Sequence, residues 1–447
     1  MKRKELDIIA KKLTAKFDTF CWLGVRATDA LPFQRFFSKY SAVVLNNSLE
    51  LSSLIDAGWQ INTYEKLINR RKEWYSGELD LLVPLVNKTY ISQHSMFVPF
   101  ASTAQNYDLR NKFTQVLSIS PELRMSLEKK PNVRLLENVG SFRKNKIIVG
   151  FPNDFTYSTI RNHLGGKFVA QQILSIAGNG TFLIENVEDW TTFQQSHLFE
   201  EITFSRFIDG PVGSVTAVVG DSWVVLGPIT RQVVHVKELA NHWATYSGNI
   251  FYSSSWHVNS IKVIESLRAI CKQIQSRGYR GIINFNVLLE GPFLTDINPR
   301  FMGHFRFFED YMKMSDQVSF AALHLLSFYP NSFNLKDYDI DCGNHNMSLM
   351  VMHLLDLQPR IVKPSANFGI YREIKGSIEP ASNTFLMTNV NSDNFAILDP
   401  VPLPLSVVDA GSELCRIVMS STAMEDGSNE LSPRARRILG HVRNALI

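Results

Sequence analysis

The stretch from Gly281 to Phe305 carries polar side chains at a spacing that could bind a metal ion. Two apolar runs within it flank a short Glu-Gly-Pro segment, a pattern that predicts a β-hairpin. Alternate residues of a strand share one face of the sheet, so the polar residues of both strands would point to the same side. With a turn at residues 290–292 they form two facing pairs, Asn286 with Asp296 and Asn284 with Asn298.

Two interpretations of this hairpin stay open on its residues alone. A carboxylate and several amide oxygens next to Arg300 would provide hard oxygen ligands and a cationic clamp, which suit Mg²⁺ bound to nucleotide phosphates. Alternatively, the polar face of an antiparallel pair simply faces water, and Asn-Pro-Arg forms the turn after it. The patterns in the rest of the sequence are needed to choose between a metal site and a polar surface.

The composition is that of a globular protein and argues against several functional classes. With 447 residues, 45% of them hydrophobic, the chain can bury a large core and is expected to form two or three domains. Its 46 basic and 42 acidic residues leave a formal charge of +4, which is too small to predict nucleic-acid binding. No apolar run is long enough to span a bilayer, and the four scattered cysteines favour a reducing cytoplasm over a disulfide framework.

Apolar runs before the hairpin predict an α/β domain followed by antiparallel strands. Strand and helix patterns alternate between residues 18 and 106, which indicates a partly parallel sheet. This first segment has no Gly-x-Gly-x-x-Gly motif after a strand, so its sequence does not support nucleotide binding there. A polar connection at residues 101–112 marks a candidate domain boundary.

A glycine-containing turn at residues 175–181 joins two predicted strands, 167–173 and 181–184. Glycine allows close approach of the backbone, so such a hairpin can lay N–H groups over phosphates. A turn with two glycines is also common in an ordinary hairpin. The turn is therefore compatible with a phosphate site without establishing one.

Two further elements precede the predicted hairpin at Gly281 to Phe305, here called the polar hairpin. The runs 200–208 and 213–220 flank Asp-Gly-Pro and predict a second hairpin. Apolar residues recur at helical spacing between Asn259 and Gly278, where a glycine ends the pattern. The rest of the chain resumes strand-like runs and ends in a basic helix, without a chemical motif.

The order of these elements resembles the ATP-grasp superfamily of carboxylate-amine ligases. The most specific match runs from Gly281 to Arg300, where carbamoyl phosphate synthetases of that superfamily carry a similar Gly-x-x-Asn-x-Gln strand followed by Glu-x-Asn-Pro-Arg. The resemblance implies an α/β (α+β) chain in four segments: an N-terminal α/β domain at 1–106, an ATP-grasp small lobe with the glycine turn at 107–202, a large lobe with the metal site at 203–330, and a C-terminal α+β extension at 331–447. It is most similar to the ATP-grasp amide or peptide ligases of natural-product pathways.

The resemblance also implies roles for the residues of the polar hairpin. Asp296 and Asn298 would bind Mg²⁺ with assistance from Asn286. Asn284 is the alternative to Asn286, because the length of this hairpin varies between members. Arg300 would stabilise the transferring phosphate or the reaction intermediate.

ATP would lie between the glycine turn and the strand at the hinge of the two lobes. The residues that would contact the triphosphate are Gly178, Asn179 and Gly180. The hinge residues that would meet adenine, mostly through backbone groups, are Ser205, Arg206 and Ile208.

Some positions depart from the pattern of the superfamily. Many members carry a lysine on the strand before the glycine turn, whereas this chain has Gln171 and Gln172, whose amides can bind a phosphate oxygen without supplying charge. The usual lysine ahead of the small lobe is matched loosely by Lys112, and Arg231 is another source of charge. Only Asp209 stands near the place where members often have an acid that holds the ribose.

The reaction implied is the ATP-dependent joining of a small-molecule carboxylate to an amine. The carboxylate would attack the γ-phosphate to form an acylphosphate, and the amine would then displace phosphate, leaving ADP. No side-chain nucleophile is required, and the sequence shows no Ser-His-Asp or Cys-His signature. His304 is more typical of a packed side chain than of a substrate contact. A homodimer is compatible with the sequence, and a nucleotide-binding protein of the same fold with reduced catalysis is the alternative.

Overall fold

Short apolar runs in the first part of the chain form a parallel sheet, the N-terminal sheet, in the computed structural model. The strands in this part of the chain are β1 Thr19–Gly24, β2 Lys39–Val44, β3 Gln60–Thr63, β4 Arg70–Arg71, β5 Ser95–Pro99 and β6 Gln115–Val116. Its α-helices are α1 Arg3–Thr14, α2 Leu51–Asp56, α3 Glu65–Ile68, α4 Val83–Val86 and α5 Ala104–Tyr107. The sheet has the order β3-β2-β1-β5-β6, with every pair parallel. The structure describes residues 3–74, 76–86, 94–111, 115–139, 141–175, 178–251, 260–330, 335–341, 346–374, 377–384, 390–425 and 428–447.

An antiparallel sheet that carries the glycine turn, here called the glycine-turn sheet, follows. The elements from this part of the chain are α6 Pro121–Glu128, α7 Lys130–Glu137, β7 Ile147–Gly150, α8 Tyr157–Leu164, β8 Phe168–Gln172, β9 Thr181–Ile184, α9 Val187–Ser196 and β10 Ile202–Arg206. The strand order is β7-β10-β8-β9. Thr156 and Asn186 cap the starts of α8 and α9, since their side-chain oxygens accept backbone N–H groups. Both helices pack on the sheet around Phe168, Trp190 and Phe204.

The polar hairpin belongs to a larger sheet, here called the large sheet. Its first strands and the neighbouring helices are β11 Val212–Val219, β12 Val224–Gln232, β13 Gly248–Phe251, α10 Ser260–Ser276, β14 Gly281–Leu288, β15 Phe293–Asn298, α11 Phe305–Met314 and α12 Phe320–Ser327. Helix α10 buries Leu267, Ile270 and Ile274 against the strands. Gly278 ends the helix with φ +88°, a conformation that favours glycine. The predicted helix and the hairpin after it are therefore present.

The C-terminal part of the chain continues the large sheet. Its elements are β16 Tyr338–Asp339, β17 Met347–His353, β18 Arg360–Ile361, β19 Gly369–Ile374, β20 Ser377–Ser382, β21 Asn394–Leu398, β22 Val407–Val408, β23 Glu413–Met419 and α13 Pro433–Leu446. The order β15-β14-β11-β12-β13-β17-β23-β21-β19-β20 shows that β17 pairs with β13. A small sheet of β18, β22 and β4 joins the C-terminal part to the N-terminal part. Residues from both ends of the chain can therefore reach one site.

The mixed α/β fold predicted from the sequence is confirmed, whereas one predicted hairpin is wrong. Strand β10 pairs with β7 and β8, and β11 pairs with β12 and β14, so the two strands do not pair across Asp209-Gly210-Pro211. The segment between them instead connects the glycine-turn sheet to the large sheet. Strand β6 lies beyond residue 106, and the strands after residue 331 extend the large sheet; the four domain limits stay a prediction.

The lengths of the helices and the positions of the cysteines bear on membrane and disulfide questions. None of the helices in the described ranges is long and apolar enough to cross a bilayer. Cys21, Cys271 and Cys415 are buried and free, while Cys342 lies outside the described residues. The described cysteines thus form no disulfide with one another.

Candidate functional site

A cavity of about 340 Å³ lies between the glycine-turn sheet, the N-terminal sheet and the large sheet. Its volume is in the range of pockets that hold small ligands. It brings together these sequence-predicted residues: Gln171, Gly178, Ser205, Arg206, Ile208, Asp209, Asn286, Asp296, Asn298 and Arg300. Most of the candidate site is therefore assembled around one space.

The two polar pairs of the hairpin are those expected from the sequence, although the turn is not, because Leu288 pairs with Phe293 and the loop spans 289–292. Asn284 lies opposite Asn298, and Asn286 lies opposite Asp296, on β14 and β15. A bulge follows Asn286, so the pairing shifts at Val287. The alternation of side chains along the two strands directs Asn286, Asp296 and Asn298 to the cavity.

Asp296 is held in an ion pair with a residue that the sequence interpretation missed. Its Oδ1 accepts a hydrogen bond from Nζ of Lys130 at 2.7 Å. The Lys130 side chain is 5% exposed and that of Asp296 is 20% exposed. A cation thus already lies against the carboxylate that is the candidate metal ligand.

Helix α7 supplies this lysine and a second cation to the cavity. Lys130 and Arg134, one helical turn apart, both line it, and α7 packs against β15. The backbone N–H of Lys130 donates to the carbonyl of Ile173 at 3.1 Å, which fixes the start of α7 next to the end of β8. The only signal in the sequence is a basic helix just before the glycine-turn sheet.

Arg300 is fixed by several contacts at the end of the polar hairpin. Its Nε donates to Oε1 of Glu128 at 3.2 Å, and its Nη2 donates to Oδ1 of Asn298 at 2.9 Å. Burial disfavours the charged form of Glu128, but Arg300 and Arg124 hold its pKa below the ordinary value. The guanidinium also lies over the ring of Phe100, 5.7 Å from its centroid. Arg300 is thus a preorganised cation at the wall of the cavity.

The glycine turn lies against Ala244, in the connection between β12 and β13. Gly178 has φ +88°, and a side chain at this position would overlap the carbonyl oxygen of Ala244. Asn179 donates from Nδ2 to Oε1 of Glu73 at 2.9 Å, which ties the turn to the N-terminal part. Gln171 donates from Nε2 to Oγ1 of Thr181 at 3.3 Å, across the base of the turn. The described residues Ser175, Gly178 and Thr181 of this segment line the cavity.

Several predicted residues do not reach the cavity wall. Asn284, on the same face of β14 as Asn286, donates from its amide to Oγ of Ser214 on β11 at 2.9 Å and is fully buried. Gln172 points to the other face of β8, where its Nε2 donates to Glu200 at 2.7 Å. Asn179 and Gly180 lie beside the lining residues rather than among them.

Of the two other predicted cations, Arg231 lies away from the cavity wall. Arg231 donates from Nη2 to Oδ1 of Asn429 at 3.1 Å, while its neighbour on β12, Gln232, lines the cavity. Gln232 donates to Oδ1 of Asn286 at 2.8 Å. Lys112 lies outside the described residues.

His304 is packed, as its sequence context favours. It is 1% exposed, with Nε2 3.4 Å from Oγ1 of Thr216 and Nδ1 3.5 Å from the hydroxyl of Tyr246. Burial, reinforced by the charge of Arg416, lowers its pKa to about 3. The imidazole is therefore neutral at neutral pH.

The residues of the cavity fit a hydrated divalent cation carried by phosphates. Among the described residues, no three His, Cys, Asp or Glu side chains cluster as a metal site. One carboxylate, Asp296, and the amide oxygens of Asn286 and Asn298 nevertheless line one wall. Such a sparse set of oxygen ligands suits Mg²⁺, which keeps waters and takes further ligands from phosphates.

A comparison with known protein families matches the part of the chain that carries the polar hairpin and Arg300. Residues 141–304 match the family model described as the ATP-grasp domain. The chain contains an ATP-grasp domain. This domain includes the glycine-turn sheet, the polar hairpin and Arg300, so the fold expected from the sequence is confirmed. ATP-grasp domains use ATP with Mg²⁺, and the expectation of these two cofactors is confirmed at the level of the family.

Solved structures extend the likeness beyond the ATP-grasp domain to nearly the whole chain. N5-carboxyaminoimidazole synthetase from Staphylococcus aureus with ADP is 13% identical, with a TM-score of 0.55, over 96% of this chain and 97% of that chain. Carboxyaminoimidazole ribonucleotide synthase from Aspergillus clavatus with ATP is 10% identical, with a TM-score of 0.56, over the same shares of 96% and 97%. Phosphoribosylamine–glycine ligase from Thermotoga maritima is 12% identical, with a TM-score of 0.54, again over 96% and 97%. No curated protein matches the chain by sequence. At these identities the likeness shows the fold.

Proposed function

We propose that the protein is an ATP-dependent ligase that joins a small-molecule carboxylate to an amine and releases ADP and phosphate. The observation that carries this proposal is the pairing of Asn286 with Asp296 on a hairpin that ends at Arg300. These three residues line one cavity with the glycine turn. The same cavity thus offers oxygen ligands, a fixed cation and a backbone cover, which are the parts that phosphoryl transfer from ATP requires.

The residues on one wall of the cavity stabilise negative charge during phosphoryl transfer. Mg²⁺, when bound at Asp296, Asn298 and Asn286, neutralises charge on the phosphates. Arg300, held by Glu128, stabilises the charge that develops on the transferring oxygens. Lys130 supplies a second positive charge at the same wall. Because these groups are fixed before the reaction, little reorganisation is needed when charge develops.

The remaining residues hold the nucleotide and exclude water. Adenine binds beside Ser205, Arg206 and Ile208, which follow one another at the hinge side of the cavity. The glycine turn at Gly178 covers the phosphates, and its contact with Ala244 keeps water from the acylphosphate. An amine can then displace phosphate in the closed site.

The finer assignment within the ATP-grasp ligases is an amide or peptide ligase of a natural-product pathway. Its support is the glutamine pair at the usual lysine position together with the long C-terminal part, which continues the large sheet. The solved ligases named above act on other small molecules, and their names do not select a substrate for this chain. A cytoplasmic location and a homodimer remain predictions that accompany this assignment.

A nucleotide-binding protein with reduced catalysis is the second candidate, and one observation favours it. Gln171 lines the cavity where many members have a lysine, and its amide is bonded to Thr181. A neutral side chain at this position lowers the positive charge around the triphosphate. Such a protein would bind MgATP but would not release phosphate in a substrate-dependent manner.

Product analysis separates the ligase from the binding protein. The full chain is incubated with ATP, Mg²⁺ and pairs of amino acids and other carboxylic acids with amines, and nucleotides, phosphate and product masses are followed. ADP and phosphate that form only when a carboxylate and an amine are both present support the ligase. AMP and pyrophosphate would exclude the acylphosphate route, and MgATP binding without turnover across the panel would favour the second candidate.

A further inference from the structure

The cavity is also lined by two arginines that neither the metal wall nor the nucleotide site uses. Arg26 follows β1, and Arg416 lies on β23, so they come from opposite ends of the chain. Nε of Arg26 contacts Asp29 at 3.2 Å and Nη1 contacts Glu413 at 2.7 Å. Arg416 contacts the same two carboxylates, Asp29 at 3.4 Å and Glu413 at 3.0 Å. The four side chains form a closed ring of two cations and two anions.

Most of this ring is shielded from bulk water, and Glu413, 19% exposed, is its most accessible side chain. The side chains of Arg26, Arg416 and Asp29 are 7%, 4% and 1% exposed. Burial opposes ionisation of Glu413, but Arg26 and Arg416 hold its pKa below the ordinary value. At Asp29 burial outweighs the same two arginines and raises the pKa above its ordinary value.

The ring leaves one hydrogen-bonding atom of each arginine directed at the cavity. Among the described residues, no side-chain or backbone group accepts a hydrogen bond from Nη2 of Arg26 or of Arg416. Both atoms face Gly303, where a side-chain carbon would lie 3.5 Å from Nη2 of Arg26 and 3.8 Å from Nη2 of Arg416. The absence of a side chain at Gly303 therefore keeps a small space open in front of two guanidinium donors.

We propose that this space is a carboxylate subsite for the acid substrate, bound by Nη2 of Arg26 and Nη2 of Arg416. Two charged N–H donors converging on one space match the two oxygens of a carboxylate. Arg300 bonds Glu128, Asn298 and Phe301 and is assigned above to the transferring phosphate, whereas Nη2 of Arg26 and Nη2 of Arg416 stay available for the substrate anion. A phosphate monoester, the other anion that arginines bind, would leave a third oxygen without one of these two donors. The assignment names the acid-binding part of the ligase proposed above and rests on that function.

Gly303 allows the subsite to be blocked without breaking the ring. In Gly303→Ala the added carbon would meet Arg26, Arg416 and Tyr246 at ordinary van der Waals distances, and its backbone is not in the left-handed region. Gly440→Ala is the matched control, because Gly440 lies in α13 with no atom within 4 Å of the added carbon. Gly303→Ala should unfold at the wild-type temperature, and Gly440→Ala at the same or a slightly higher temperature, because alanine favours a helix more than glycine. Removal of either arginine would instead take one of its two cations from each carboxylate and destabilise the buried ring.

Binding is measured by calorimetry on the full chain with Mg²⁺ and a non-hydrolysable ATP analogue present at saturation. The titrants are acetate, succinate, L-alanine and L-glutamate, with methyl phosphate as the competing anion class. We expect at least one carboxylate to bind the wild type and Gly440→Ala equally and to bind Gly303→Ala about ten-fold or more weakly, the scale of one charge-assisted contact. Equal binding to Gly303→Ala, no binding of any carboxylate, or selective binding of methyl phosphate would overturn the assignment.

Titration of the ATP analogue alone keeps this test separate from the proposed ligase function. The analogue should bind all three proteins with equal affinity, since Gly303 faces the arginines. Failure of the wild type to bind the analogue would count against the ligase, whereas the carboxylate titration without nucleotide would still decide the subsite by the same comparison of variants.

Discussion

Lys130 and Asp296 form an ion pair at 2.7 Å, although 166 positions separate them in the sequence. Lys130 stands at the start of α7, and Asp296 lies on β15, against which α7 packs. Gln171, at the position of the usual strand lysine, supplies no charge to the same cavity. We infer that positive charge for the phosphates comes from helix α7 instead of from strand β8.

Replacement of Lys130 should therefore weaken nucleotide binding. Lys130→Gln keeps a hydrogen-bond donor but removes the charge, and we expect about ten-fold weaker binding of MgATP, as for the loss of one charge-assisted interaction. Gln171→Lys added to this variant should restore part of the affinity, because it returns a cation to the same cavity. Calorimetry with a non-hydrolysable ATP analogue measures both effects.

The neighbouring lysine provides the control for this substitution. Lys129 is exposed and does not line the cavity, so Lys129→Gln changes the net charge equally without touching the site. Unchanged affinity in Lys130→Gln would show that the ion pair with Asp296 is structural. Tighter binding of Mg²⁺ would show that Lys130 merely competes with the metal.

Only part of the register of the polar hairpin follows from local rules. Alternation puts Asn286 and Asp296 on one face and they pair as predicted, but Leu288 pairs with Phe293, so the loop is 289–292 and the bulge after Asn286 restores the predicted pairing. The bulge after Asn286 carries no sequence signal of its own. The second hairpin was predicted wrongly, since the same kind of pattern at 200–220 leaves open which strands pair, and tertiary contacts give β10 and β11 different partners.

The residues that sequence interpretation missed are those whose partners lie far along the chain. Lys130 has no motif, and its role becomes visible only when α7 packs on β15. Arg26 and Arg416 meet because β1 and β23 reach the cavity from opposite ends of the sequence. Arg231 does not line the cavity, because side chains alternate along β12 and the next residue, Gln232, is the one on the cavity side.

Removal of the charge at Asp296 should stop turnover without unfolding the protein. Asp296→Asn retains an acceptor for Lys130 but takes away the only carboxylate of the proposed metal set among the described residues. We expect phosphate release in the presence of substrates to fall by about 100-fold or more, on the scale of losing one transition-state charge contact. Its Mg²⁺ dependence should shift to higher concentration.

Glu290→Ala tests whether any change in this hairpin has the same effect. Glu290 is exposed in the turn between β14 and β15, so its removal should leave turnover unchanged. Circular dichroism and thermal unfolding report on the fold of both variants. Loss of folding in Asp296→Asn, or full activity in it, would favour the interpretation of the hairpin as a polar sheet surface.

A side chain at Gly178 should displace the glycine turn from the cavity. The added carbon would overlap the carbonyl oxygen of Ala244 and would also have to adopt φ +88°. We expect Gly178→Ala to bind the ATP analogue about ten-fold more weakly, because the turn can no longer pack against Ala244 and cover the phosphates.

Gly166→Ala separates this overlap from backbone strain. Gly166 has φ +75° but no atom within 4 Å of an added carbon, so both variants carry the strain of about 1 kcal/mol that a left-handed residue costs. The two proteins should unfold at similar temperatures and differ in nucleotide affinity. Equal affinity in both would mean that the turn does not cover the phosphates.

Glu50 should make the stability of the protein depend on pH between about 4.5 and about 8. It is fully buried at the junction of the N-terminal and C-terminal parts, where Oε1 accepts the backbone N–H of Val401 at 3.2 Å. Burial, with a further contribution from Asp399, raises its pKa from 4.5 to about 8. Within this window the unfolded chain has released the proton that the folded protein retains.

Rising pH therefore favours unfolding, and the stability that protonated Glu50 contributes is complete below pH 4.5 and is lost as the pH approaches 8. Glu50→Gln stays neutral, so the unfolding temperature of the wild type should fall relative to that of the variant as pH rises, with a free-energy slope of at most about 1.4 kcal/mol per pH unit. Glu188→Gln, on an exposed position of α9, should follow the wild type at every pH. A constant difference between wild type and Glu50→Gln from pH 5 to pH 8 would show that Glu50 is ionised in the folded protein, stabilised by contacts that outweigh its burial.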